Sequence, residues 1–171
     1  RAPKGEQPQT LKIAWQQDCN PPEYRMRDGK PIPYSRHNKK SPDGPSEIIA
    51  DPALYKNRCY VTIGQSPLHG PGQGILVCLD IATGEKIWES RKVDRSLGTP
   101  AVHEGLLYLP DYSGRLHCFD AHTGRQYWQY DLDAPVWESS AAVVEDKVYV
   151  STEKKHLWVF KTGRQPHVVS K

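Results

Sequence analysis

Arg95-Ser96 and Trp137-Glu138 stand at matching places in this chain of 171 residues, each pair a few positions before a short apolar run. Arginine offers a rigid fork of donors for a carboxylate or phosphate. Tryptophan offers a stacking face, and glutamate an acid, a base or a metal ligand. His69, Asp111, Tyr112 and Glu153 lie in turn-rich segments between other apolar runs. Together these residues are the candidate ligand-binding set. No nucleophile motif or metal-ligand cluster is present, so no catalytic residue and no metal ligand is assigned. His37 and His69 could share a metal, but nothing in their spacing requires it.

A second concentration of chemistry is the stretch 19–46. It holds Arg25, Arg27, Lys30, Arg36, His37, Lys39 and Lys40 against Glu23, Asp28 and Asp43, with Tyr24 and Tyr34 among them. One reading is a basic, aromatic-bearing lid that recruits an anionic ligand or a partner protein. The other is a solvated loop whose Pro and Lys serve solubility. The whole chain carries a formal net charge of only +3, which argues against a nucleic-acid partner.

The elements that position these residues are repeats. Cys-Leu-Asp-Ile-Ala-Thr-Gly-Glu-Lys-Ile-Trp at 78–88 matches Cys-Phe-Asp-Ala-His-Thr-Gly-Arg-Gln-Tyr-Trp at 118–128, an offset of 40 residues. Such a period, with strands inside it, marks a repeat architecture. A worn third copy sets Tyr149 against Tyr108, Leu157 against Leu116 and Phe160 against Phe119, with Thr162-Gly163 for Thr123-Gly124 and no tryptophan after it. The first unit carries extra residues within Gln65–Gly74, a Gly- and Pro-rich loop.

Each unit reads as strand, tight turn, strand, loop, strand, turn, strand. In the second unit the strands fall near 99–103, 106–110, 115–120 and 125–130. No stretch holds apolar residues at helical spacing, so almost no helix is expected. Four short strands per repeat of this length is the cadence of a β-propeller blade. The fold class is therefore all-β: about three blades of four antiparallel strands plus one outer strand, part of a larger ring. The predicted division is a flexible tail at 1–10, the outer strand of a preceding blade at 11–18, a long rim loop at 19–46, blades at 47–90 and 91–130, and a partial terminal blade at 131–171. Trp15 stands where Trp88 and Trp128 stand. The Pro-rich start and the absence of an initiating Met fit either a removed signal or a piece of a longer chain.

The repeated residues Asp80, Thr83, Gly84 and Trp88, with Asp120, Thr123, Gly124 and Trp128, have a structural explanation. The Asp accepts backbone N–H groups across a strand-ending turn, the Gly supplies positive φ, and the Trp wedges against the next blade. A catalytic Asp would be singular, whereas this one recurs. Cys59, Cys78 and Cys118 align with apolar strand positions in other units and read as buried free thiols.

The run Asp-Ile-Ala-Thr-Gly-Glu-Lys-Ile-Trp resembles the repeat of quinoprotein-type, or pyrroloquinoline-quinone-like, β-propellers. The likeness covers about residues 47–165, and 11–18 more weakly. That family includes quinone-dependent alcohol and sugar dehydrogenases, the outer-membrane barrel-assembly lipoprotein, and secreted bacterial propellers without known catalysis, whose loops the 63–74 insert also resembles. The resemblance implies a periplasmic or secreted location. Against the dehydrogenases, the chain has no Cys-x-x-Cys-His haem motif and no adjacent Cys pair. No cofactor is therefore predicted.

In a meander of this kind the long connections gather on one rim and the tight turns on the other, and long loops within a compact repeat are more often functional. The expected function is binding of a protein or peptide, or of the remaining blades, through the loop-bearing rim. A structural alternative for the rim set pairs Arg95 with Glu138 and plugs the channel with Trp137, and it weighs more, since repeat proteins also need polar rims. The enzymatic alternative is part of a dehydrogenase using pyrroloquinoline quinone and calcium.

Overall fold

The computed structural model describes residues 11–33, 46–65, 73–137 and 139–171. One 3-10 turn, Pro22–Tyr24, is the only helical element among them. A two-residue hairpin, β1 (Met26–Arg27) and β2 (Lys30–Pro31), follows it. Three antiparallel sheets then succeed one another. The first joins β3 (Ser46–Glu47), β4 (Ala53–Tyr55), β5 (Arg58–Gln65), β6 (Gly74–Asp80) and β7 (Lys86–Ser90). β3 and β4 pair with opposite ends of β5, so the innermost strand of this blade is interrupted. The second sheet runs β8 (Ala101–His103), β9 (Leu106–Pro110), β10 (Arg115–Asp120) and β11 (Gln126–Asp131). The third runs β12 (Ala142–Val144), β13 (Lys147–Ser151), β14 (Leu157–Lys161) and β15 (Val168–Ser170).

The third sheet thus has four strands, although its sequence suggested a partial blade. Its fourth strand escaped notice because Ser170 stands opposite Val159 where Trp128 stands opposite Cys118. Without the tryptophan the strand carries no repeat signature. Gly163 is also extended rather than left-handed, so this copy turns differently.

Strand alternation gives every sheet two faces, and both are apolar. Tyr60, Leu76 and Cys78 of the first blade meet Leu107, Leu109 and Phe119 of the second. Tyr108, Leu116, Cys118 and Trp128 of the second meet Val148, Val150, Trp158 and Phe160 of the third. The outer face of the first blade, Val61, Ile63, Ile75, Val77 and Leu79, is covered by Trp15, Cys19 and Tyr24. Burial on both faces of the first two blades explains why their central strands read as nearly continuous apolar runs.

The repeat motif is a blade-to-blade clasp. Asp80 Oδ1 accepts the N–H groups of Ala82 and Thr83 at 2.8 and 3.0 Å, and Asp120 Oδ1 those of His122 and Thr123 at 2.9 Å. Gly84 and Gly124 have φ of 75° and 72°. A Cβ on Gly124 would also sit 2.7 Å from the ring of Trp88, and one on Gly84 2.5 Å from Trp15. The tryptophans donate Nε1–H into the next blade: Trp15 to Ile81 O at 2.7 Å, Trp88 to Ala121 O at 3.3 Å, Trp128 to Gly163 O at 3.0 Å. Residues 11–18, expected as an outer strand, pair with no strand among the described residues. Trp15 nevertheless makes the contact of an outer-strand tryptophan, because that contact depends on the receiving turn and not on a ladder.

Candidate functional site

The long connections gather on one rim, as the meander requires. In each blade a described residue at or beside the connection between the second and third strands touches the crossover leading to or from a neighbouring blade. Gly74 N–H donates to Val93 O at 3.1 Å, Leu132 N–H to Gly114 O at 2.8 Å, and Glu153 N–H to Pro135 O at 3.1 Å. Gly74 and Gly114, forty residues apart, permit these crossings: a Cβ on either would lie 2.3 Å from Asp94 O or Ala134 O. Their matched spacing was a readable signal that the repeat motif overshadowed.

Three members of the candidate set form one stack. The Arg95 guanidinium lies 5.3 Å from the centroid of Tyr112, and Tyr112 meets Trp137 edge-on at 5.4 Å. Tyr112 N–H donates to Arg95 O at 2.8 Å, which locks the crossover 91–98 to the second blade. Arg95 itself is fully buried beneath this stack. Burial pulls its pKa below the ordinary arginine value, against smaller opposing effects of Tyr112 and Asp94. Its fork does not face solvent, contrary to the expectation of an open anion clamp. Ser96 is buried too, its hydroxyl donating to Pro110 O at 2.6 Å. Glu153 is exposed and joins the rim through its backbone. His37, His69 and Glu138, and with Glu138 the expected ion pair, lie outside the described residues.

Asp111 anchors a network rather than a ligand. Its carboxylate is fully buried and accepts from His117 Nε2 at 2.7 Å, Ser113 Oγ at 2.6 Å, and the N–H groups of Arg115 and Asp94 at 3.2 Å. Gln126 Nε2 lies 2.9 Å from His117 Nδ1, an arrangement in which the imidazole carries its proton on Nε2. Burial pushes the Asp111 pKa up, but the hydrogen bond from His117 and the donors Ser113 and Arg115 outweigh it and hold it below the usual aspartate value. Ser113 and His117 both bind the same carboxylate, so no hydroxyl is aimed at an imidazole and the trio cannot act as a nucleophilic relay. His117 was missed in the sequence. The signal was its place six residues after Asp111, across a short hairpin on the same sheet face.

Beside this stack the first blade and the 19–33 segment enclose a cavity of about 420 Å³. Its walls are Glu23, Tyr24, Arg27 and Ile32 from the segment and Gln73 and Arg91 from the blade. Arg91 pairs with Glu23 at 2.8 Å and lies 5.6 Å over the Tyr24 ring. The described part of the basic, aromatic segment, residues 19–33, therefore packs against the first blade; its remainder, with Tyr34, Arg36, Lys39 and Lys40, lies outside the described residues.

The chain matches, over residues 72–170, the family model described as outer membrane protein assembly factor BamB. It belongs to this family. Within the BamB family, the protein of Shewanella oneidensis is 34% identical over 82 residues, 47% of this chain and 21% of that protein. A cytochrome c-linked 1-butanol dehydrogenase of Thauera butanivorans is 29% identical over 116 residues, 61% of this chain and 14% of the enzyme. The crystal structure of BamB from Moraxella catarrhalis superposes with a TM-score of 0.54 at 22% identity, over 68% of this chain and 34% of that one, a likeness of fold alone. The chain spans only 21% and 14% of the lengths of these two curated relatives.

The described residues do not fit a quinone site. Asp111 is spent on donors of its own fold, and Arg95 is covered by Tyr112. Among the described residues no group of three His, Cys, Asp or Glu side chains is placed to hold a metal. None of them is long and apolar enough as a helix to cross a membrane.

Proposed function

We propose that this chain is part of a non-catalytic, extracytoplasmic propeller that binds a protein or peptide segment on its loop-bearing rim. The observation that carries this reading is the rim cavity. It combines an aromatic ring, an aliphatic side chain and charges of both signs, with Arg91 and Glu23 about half exposed. That mixture suits a polypeptide, which offers apolar and charged groups along one strand. The relatives named as outer membrane protein assembly factors support a protein partner and a periplasmic place.

The test is site-specific photo-crosslinking in the producing cell, with the crosslinker at Gln73 or Tyr24 on the rim and at Ile87 on the outer edge as a control. Adducts to a discrete protein from the rim positions alone are expected. Equal capture from the edge, or stoichiometric binding of pyrroloquinoline quinone with calcium by the full-length protein, would overturn the reading.

A further inference from the structure

The opposite rim was expected to carry only tight turns, and its backbone conforms: Ile81, Ala121 and Thr162 N–H groups donate to Asn57, Gly105 and Asp146 O in the three blades. Its side chains do something the repeat does not require. Between the first and second blades they enclose a basin of about 210 Å³, with Tyr55, His122 and Arg164 in its walls. Lys56 lies 5.3 Å over the Tyr55 ring, and His122 meets Tyr55 edge-on at 6.5 Å. Arg164 reaches back from the third blade to lie 5.1 Å over Tyr127, whose other neighbour is Arg125 at 5.8 Å.

Two cations, Lys56 and Arg164, thus line the basin, and a third, Arg125, shares Tyr127 with Arg164; among the described residues none of the three makes an ion pair. The nearby carboxylates offset them only in part. Asp120 spends Oδ1 on the N–H groups of His122 and Thr123 and Oδ2 on the Tyr127 hydroxyl, which donates at 2.8 Å. Glu104 borders the basin but turns toward His103, 3.9 Å away. Cations resting on aromatic rings are held in place without being discharged, so each keeps its hydrogen-bonding edge for a ligand.

We infer that this basin is a docking site for a single carboxylate side chain of an acidic segment in a partner protein. Charge selects the ligand. Lys56, Arg125 and Arg164 against Asp120 and Glu104 leave a small positive excess, which suits one carboxylate better than a dianionic phosphate. Size selects the source, because the basin is smaller than the ~300 Å³ at which small-molecule pockets begin. The inference stands on the turn-bearing rim and is independent of the cavity on the loop-bearing one.

The experiment is fluorescence anisotropy of a labelled glutamate-rich peptide, at low salt, with the full-length protein and with Lys56→Gln/Arg164→Gln. A matched glutamine peptide, inorganic phosphate as competitor and Arg91→Gln on the other rim are the controls. Saturable binding of the glutamate peptide is expected, weakened about tenfold by the double substitution, the sum of two exposed charge contacts. Arg91→Gln leaves it unchanged. Three outcomes would overturn the inference: equal binding of the glutamine peptide, equal binding by a double variant of unchanged melting temperature, or phosphate displacing the peptide at concentrations comparable to the peptide's own.

Discussion

Replacing Asp111 by alanine should destabilise this protein more than any loss of exposed charge. The carboxylate is buried and four donors converge on it: His117 Nε2, Ser113 Oγ and the N–H groups of Arg115 and Asp94. Its removal leaves His117 buried without an acceptor and frees the crossover at Asp94. Each buried donor left unsatisfied costs about 1–3 kcal/mol, and with four donors losing this acceptor a loss of about 3–5 kcal/mol is expected, a large part of the 5–15 kcal/mol that typically holds a domain folded. With a urea slope of about 2 kcal/mol per molar, the midpoint should fall by about 2 M. The first blade supplies a control. Ile63 and Val77 occupy the places of Asp111 and His117, and both are buried. The double variant Asp111→Ile/His117→Val should therefore be more stable than Asp111→Ala by about 2 kcal/mol, since replacing both partners removes the orphaned group. The pH profile follows from the same network. Asp111 has a folded pKa below its unfolded value of about 3.9, so its contribution is present above that value and is lost as pH falls through the lower, folded one. Asp111→Ala should flatten the acid limb of the stability profile. Additive single-variant costs, or an unchanged acid limb, would refute a coupled pair.

Other outcomes follow from the clasp and the thiols. Gly124→Ala should cost about 2–3 kcal/mol in thermal unfolding, against about 1 kcal/mol for Gly105→Ala. Both have positive φ, but only at Gly124 would the new Cβ strike a ring, 2.7 Å from Trp88 against 3.7 Å from His122. Trp128→Ala should cost about 3–5 kcal/mol, because the buried indole also donates to Gly163 O at 3.0 Å. Cys59, Cys78 and Cys118 are buried and free, and burial pushes the Cys118 pKa up to about 12. Ellman's reagent should therefore find no more than the half-buried Cys19 in the native protein and all four thiols in urea.

The blades were legible because one period carries three constraints at once. Asp80 and Asp120 need backbone donors, Gly84 and Gly124 need positive φ, and Trp88 and Trp128 need a receiving carbonyl. Each constraint fixes a residue type, so the repeat survives in the letters. The rim was read less well. That Arg95, Tyr112 and Trp137 meet follows from their matched places in successive loops, but that Arg95 lies beneath the other two depends on the path of the crossover, which no local pattern encodes. His117 was hidden for the opposite reason. It sits at a strand position that is apolar in the first blade, and only its pairing partner makes a buried imidazole tolerable there.

That position recurs in all three blades with different chemistry. It holds Ile63 with Val77, then Asp111 with His117, then Thr152 with Trp158, and all six side chains are buried. The first pair needs only packing and the second a direct hydrogen bond with further donors, whereas the third buries a Thr152 hydroxyl and a Trp158 indole N–H that have no hydrogen-bond partner among the described residues. The niche constrains burial and leaves residue type open. A polar pair inside a blade interface is consequently a poor sign of catalysis in this fold, even when it has the composition of an acid–base dyad. Chemistry directed outward must come from side chains that the blade contacts do not consume. Among the described residues such side chains include Arg91 on one rim and Lys56 and Arg164 on the other, none of which belongs to the repeat.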